Sequence, residues 1–128
     1  MITNVFVDVL NRAGLGLERA STLFAEQGRG ERFVVVKTTA NVPVSPGLPL
    51  RAASLQVIVR GWSHAEGYAL AERIGRAVLA ATGEHLFEAE RYTVLSIVSR
   101  DHPVPFRDGS GALSFTMNFR VNHRVELA

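Results

Sequence analysis

A chain of 128 residues has the size of one domain, and 47% hydrophobic against 20% charged residues is a globular balance that excludes a disordered chain. Fourteen basic residues, thirteen of them arginine, against twelve acidic ones leave a formal charge of +2, too small an excess to argue for nucleic acid by itself. The absence of cysteine excludes disulfides, thiolate metal sites and cysteine nucleophiles, and no apolar run approaches the roughly 18 residues of a membrane span.

The first element is a helix. Ile2, Val5, Phe6, Val9, Leu10 and Ala13 recur at three- and four-residue steps, with Thr3 placed to cap and Gly14 to end the turn. Asp8 lies inside this apolar run and no basic segment precedes it, so the opening does not read as a signal peptide, and the expectation is one soluble domain spanning residues 1–128. From Leu15 to Gln27 the pattern is poor, with a short strand indicated at residues 23–26. A turn at GRGE, residues 28–31, then leads into FVVVKTT, residues 33–39, whose β-branched residues on both sides predict a buried strand. Residues 40–53 contain Pro43, Pro46, Gly47 and Pro49 and read as an exposed loop.

The strongest local signal follows. Leu55, Val57 and Val59 alternate with Gln56, Ile58 and Arg60 as a strand, and Ser63-His64-Ala65-Glu66 has the form of a capping box that starts a helix at His64. Leu70, Ala71, Ile74, Ala77, Val78 and Ala81 form its apolar stripe, Glu72 and Arg76 an outward pair, and Gly83 the expected left-handed stop. Residues 92–100 read as a strand with Leu95 and Ile97 on one side and Val94 and Val98 on the other. Residues 101–111, with two prolines and two glycines, read as a second loop. The last strand alternates strictly: Leu113, Phe115, Met117, Phe119 and Val121 against Ser114, Thr116, Asn118, Arg120 and Asn122, one apolar face and one polar face that must meet water or a polar neighbour.

These elements imply an α+β domain. Its sheet is mixed and largely antiparallel, with four to five strands, and two adjacent helices pack on one face. Phe115, Phe119, Leu55, Val57, Ile74 and Val78 share the core. The two Pro- and Gly-rich stretches are expected to be its most mobile segments.

No catalytic constellation accompanies this pattern. His64, His85, His102 and His123 have no metal-ligand spacing, and Asp108-Gly109-Ser110-Gly111 lacks the lysine and strand-to-helix context of a phosphate loop. Glu84, Glu88 and Glu90 beside Arg91 have no nucleophile with them and read as a solvated edge, and Ser45, Ser54 and Ser96 lack a nucleophile elbow. Cofactors and metals are not expected. Arg29, Arg32, Arg51 and Arg107 all fall in or beside predicted loops, where four arginines can line one rim and serve, with Asp108 and the polar residues Thr116, Asn118 and Arg120, as an oligomer or partner surface.

Two stretches carry a family likeness. LQVIVRGWSHAEGYALAERIGRAVL, residues 55–79, is similar to a strand of the form V-x-V-x-V-R-G followed by a helix of the form A-x-x-L-A-x-x-I. VPFRDGSGALSFTMNFRV, residues 104–121, is similar to an acidic-glycine hairpin leading into a closing strand that ends N-F-x-V. Together with the order of elements they resemble the tail-terminator (minor capsid, tail-completion) proteins of long-tailed bacteriophages and related particles. The resemblance implies a non-enzymatic virion protein, assembled in the host bacterial cytoplasm. Such proteins form a homomeric ring, usually a hexamer, that caps the finished tail tube and meets the head-completion protein while DNA passes through unread. The alternatives are a neighbouring head–tail connector of the same particle, or a small ferredoxin-like ligand-binding or enzyme domain.

Overall fold

In a computed structural model the described residues are 2–15, 20–21, 32–44, 47, 49–107, 109 and 111–127. The elements in order are α1 (Ile2–Arg12), β1 (Ala20–Ser21), β2 (Phe33–Pro43), β3 (Leu50–Arg60), α2 (His64–Leu79), β4 (Gly83–Phe87), β5 (Glu90–Ser99), β6 (Val104–Arg107) and β7 (Leu113–Leu127). The seven strands, of which β1 is only two residues long, form one sheet in the order β1-β2-β3-β7-β5-β4, with β6 also paired to β7. Among the described residues only the β1–β2 pairing is parallel, so the fold is α+β with a large, mostly antiparallel sheet.

The alternation of β7 sets the core. Phe115, Met117, Phe119 and Val121 are all buried, and they cluster with Leu55, Val57 and Val59 of β3, Val34 and Val36 of β2, and Tyr92 and Val94 of β5. Against these strand residues lie Ile2, Val5, Phe6 and Leu10 of α1 and Leu70, Ala71, Ile74 and Val78 of α2, and the two helices touch. All six residues expected to share one core do so. Each large apolar side chain withdrawn from water here contributes about 1.5–3 kcal/mol.

Capping explains where α2 begins. Ser63 is extended (φ −60°, ψ 163°), and its hydroxyl accepts from the Glu66 amide at 3.3 Å, as the box requires. The Glu66 carboxylate lies 3.9 Å from the Arg32 guanidinium. The helix ends before Gly83: Ala80 is its C-cap, with its N–H donating to the Arg76 carbonyl and the N–H of Ala81 to the Val78 carbonyl, each at 3.1 Å. Gly83, at φ +112°, instead opens β4. Thr3 is likewise no cap, because it lies inside α1 and its hydroxyl bonds that of Thr38 on β2. Gly14 does sit just past α1 with φ +66°.

The sheet exceeds the expected four to five strands because pairing reaches into the predicted loops. β2 and β3 run on through residues 40–43 and 50–53, and beyond the last pair Val44 N–H donates to Leu50 O at 2.9 Å. Pro43 is tolerated because, among the described residues, β1 covers only Val34 and Val35, and a proline without an N–H costs nothing on an uncovered edge. Likewise β6 takes residues 104–107 from the second predicted loop. In β5 the register shifts between Val94 and Ser96, so the bulge reverses the side on which later residues fall. Val94 is buried and Ile97 packs on the core, while Leu95 and Val98 are exposed, which corrects the expected pairing of Leu95 with Ile97. The strand expected at residues 23–26 and the turn at 28–31 lie outside the described residues.

Gly67 is where α2 meets β7 most closely. A Cβ built there lies 2.7 Å from Cε2 and 3.1 Å from Cδ2 of Phe115, a buried ring that also meets the His64 and Tyr68 rings edge-on. Ala is favoured over Gly in a helix by about 1 kcal/mol, but overpacking a fixed ring costs about 1–3 kcal/mol. Gly67→Ala is therefore expected to lower stability, read as a lower urea midpoint; a midpoint equal to or above that of the parent would refute this packing.

Candidate functional site

The expected surface residues divide by location. Thr116, Asn118 and Arg120 do lie on the β7 face opposite the core, yet that face is not uniformly open. At one end Val35, Ile58 and Ser114 are buried on it, and the Thr116 hydroxyl is itself buried with no hydrogen-bond partner among the described residues. The polar face expected to meet water or a polar neighbour is thus open only in its other half. There Arg120 is exposed between Ser54 of β3 and Val98 of β5, and beyond it the Asn122 side chain donates to the Ser96 hydroxyl at 2.9 Å.

Asn118 has a structural task. β5 pairs with β7 as far as Ser99↔Phe119, Arg100 N–H donates to Asn118 O at 2.9 Å, and pairing resumes in β6 at Val104↔Thr116. In the break, the two carboxylate oxygens of Asp101 accept the Asn118 backbone N–H and side-chain amide, each at 3.0 Å. Hydrogen bonds to a carboxylate contribute about 1.5–3 kcal/mol net. Asp101→Ala is expected to cost at least that range in urea unfolding, with Asp101→Asn intermediate because its amide keeps one acceptor oxygen. Equal stability of Asp101→Ala and the parent would remove Asp101 from this role.

The arginines do not form one rim. Arg32 lies with its guanidinium carbon 5.8 Å from the Trp62 ring centroid, and Arg107 lines a cleft of about 420 Å³ beside Trp62, Ser63 and His64 while its Nη1 donates to Gly111 O at 2.9 Å. These two share the α2-entry end of the sheet. Arg51 sits at the opposite end of β3, with Nε donating to Asn41 Oδ1 at 3.0 Å and Nη2 to Asn41 O at 2.9 Å. Arg29 and Asp108 lie outside the described residues.

Arg51 leads to a residue the spacing of histidines did not single out. His123 is paired with Arg51 across the β3–β7 ladder, is 1% exposed, and lies 6.4 Å from the Tyr92 ring between centroids. Its Nδ1 is buried with no partner among the described residues. Burial holds the imidazole below its ordinary pKa, a backbone contact at Val121 opposes this, and the Arg51 charge adds to the lowering. Strict alternation continued two residues past Val121 would have placed His123 on the core face.

The groups around Arg120 are an exposed guanidinium, amides and hydroxyls. His64, His85, His102 and His123 stand on α2, β4, the β5–β6 connection and β7, and no group of three or more metal-ligating side chains is found among the described residues. Among the described residues no helix is long and apolar enough to cross a membrane. Comparison with protein families and with curated proteins finds no match to the chain.

The lowered pKa of His123 fixes a pH dependence. The unfolded chain takes up the proton first, so the stability contribution is complete above the unfolded value near 6.5 and declines as pH falls from there toward the lower folded value. The urea midpoint is expected to fall between pH 7.5 and 5, and to fall less in His123→Gln. Identical slopes in the two proteins would exclude His123 as the source.

Proposed function

We propose that the chain is a non-enzymatic virion protein that caps the finished tail tube of a long-tailed phage, or of a related particle, as a homomeric ring and forms the head–tail junction. The reading rests on the likeness of residues 55–79 and 104–121 to tail-terminator proteins, and one observation carries it. The two stretches, 25 residues apart in sequence, form one unit: β3 pairs with β7 from Leu50↔Arg124 to Arg60↔Ser114, and α2 packs its Gly67 and Gly75 onto the same strand. A likeness spread over two unrelated surfaces would carry much less.

In this reading both helices lie on one face of the sheet, and the open half of the other face, around Arg120, is left for neighbours. A head-to-tail ring, six-fold in this family, needs two different surfaces on each subunit. The second is the α2-entry end, where Arg32 and Arg107 flank Trp62. The partners are further copies of the chain, the tail tube protein and a head-completion protein, with DNA passing through the ring without sequence-specific contact. The protein would then reside at the tail–head junction of the virion.

The test is genetic. Deleting the gene from its parent particle is expected to give overlong tails without heads; tails of normal length joined to heads would overturn the proposal. Arg120→Glu and Arg107→Glu are the substitutions of choice for the two surfaces, since exposed changes usually alter stability by less than about 0.5 kcal/mol. Arg51 is a poor probe, because its bonds to Asn41 and its place beside His123 tie it to the fold.

A further inference from the structure

The edges of the sheet are not equally protected. Among the described residues β2 has no strand on its outer side beyond Val35, but there the register shifts between Thr38 and Ala40, the Asn41 carbonyl is taken by Arg51, and Pro43 has no N–H to offer. β6 carries Pro105 within its four residues. β4 carries neither proline nor bulge: its register against β5 is unbroken from Gly83↔Val94 to Phe87↔Glu90, and no strand lies on its outer side among the described residues. Bulges, prolines and charges are how natural edges refuse a further strand. Of the three, β4 refuses least.

Its outward groups follow from the hairpin. Phe87 and Glu90 flank a two-residue turn at Glu88 and Ala89 and so form a hydrogen-bonded pair. Alternation then turns the backbone N–H and C=O of Leu86 and Glu84 away from β5. Leu86 also leaves its side chain 66% exposed.

We propose that β4 pairs with β4 of a second copy, antiparallel about a two-fold axis, joining two sheets into one. The charges select the register. Centring the axis on Glu84 sets that carboxylate against its own copy, and centring it on Leu86 sets Glu84 against Glu88; like charges directly opposite are destabilising. Centring it on His85 places Glu84 opposite Leu86 twice, so all outward groups of both strands pair and no two carboxylates oppose. On the α1 side a cleft of about 330 Å³, bordered by Val5, Asp8 and Arg12, leaves room for the second copy's His85. The inference rests on this edge and not on the tail-capping reading: a two-fold pair uses one surface twice, whereas a ring uses two.

The chain has no cysteine, so single cysteines report the geometry directly. The wild-type protein is expected to dimerise in sedimentation equilibrium. Under mild oxidation His85→Cys should form a disulfide-linked dimer, because residues opposite one another at the axis have Cα atoms within disulfide reach. Glu84→Cys and Leu86→Cys alone should not, while the double variant E84C/L86C should. Leu86→Lys, which places a second charge on the edge beside Glu84, should be monomeric, with the melting temperature the parent shows when diluted below its dimerisation range. A wild-type protein that stays monomeric at millimolar concentration overturns the proposal, as does a dimer in which Glu84→Cys cross-links as readily as His85→Cys. Neither result bears on tail length in the gene deletion, so the two proposals fail separately.

Discussion

Every N–H and C=O of a central strand needs a partner on each side, and β7 is the strand on which this requirement falls most heavily. On one side β3 meets it alone, over eleven consecutive pairs. On the other side no single strand is long enough, and the chain solves the problem with an interrupted one: β5 covers residues 119–127, β6 covers 113–116, and Asp101 supplies acceptors at the gap. The rest follows from this arrangement. Because β7 is fixed along its whole length, Phe115, Met117 and Phe119 present a continuous ridge, and α2 lies close on it through Gly67 and Gly75.

The features legible in the residues are those in which one local rule acts alone. Ser63 caps α2 because a hydroxyl three residues before Glu66 satisfies an otherwise unpaired amide, and β7 alternates because one of its faces is buried from Phe115 to His123. Illegible features arise where tertiary pairing overrides local preference. β4 is Gly-Glu-His-Leu-Phe, with no β-branched residue, and becomes a strand through a hairpin whose turn has Glu88 at φ +55°. Pro105 lies inside a strand that β7 templates, and Pro43 in one that β3 templates. The bulge near Leu95 reverses the facing of Ile97 and Val98, a shift that no alternation rule announces.

The surface residues show the same division. That arginines near loops would be exposed was readable, and Arg32 and Arg107 are; that Arg51 would stand at the far end of β3 was not, because a strand separates in space what the sequence keeps close to a proline-rich stretch. Asn118 has the place of a polar-face residue in the alternation and is one side of a half-buried junction with Asp101. His123 looked like one of four scattered histidines and is the polar end of the core, beside Tyr92 and Arg51.

These placements bear on how such a domain can assemble without unfolding. The core is committed: the apolar residues of β2, β3, β5 and β7 cluster with those of α1 and α2, and His123 stands at one end of β7 with an imidazole whose pKa burial lowers. In the proposals made above, association uses what the sheet leaves over, which is the Arg120 half of its second face, the Trp62 corner with its two arginines, and its edges. Those surfaces differ in kind. Guanidinium-rich faces gain from complementary charge and are weakened by salt, whereas an edge strand gains from backbone hydrogen bonds that salt screens little. The ionic-strength dependence of any self-association thus separates the two: contacts through Arg120 or Arg107 weaken as salt rises, and pairing through β4 persists.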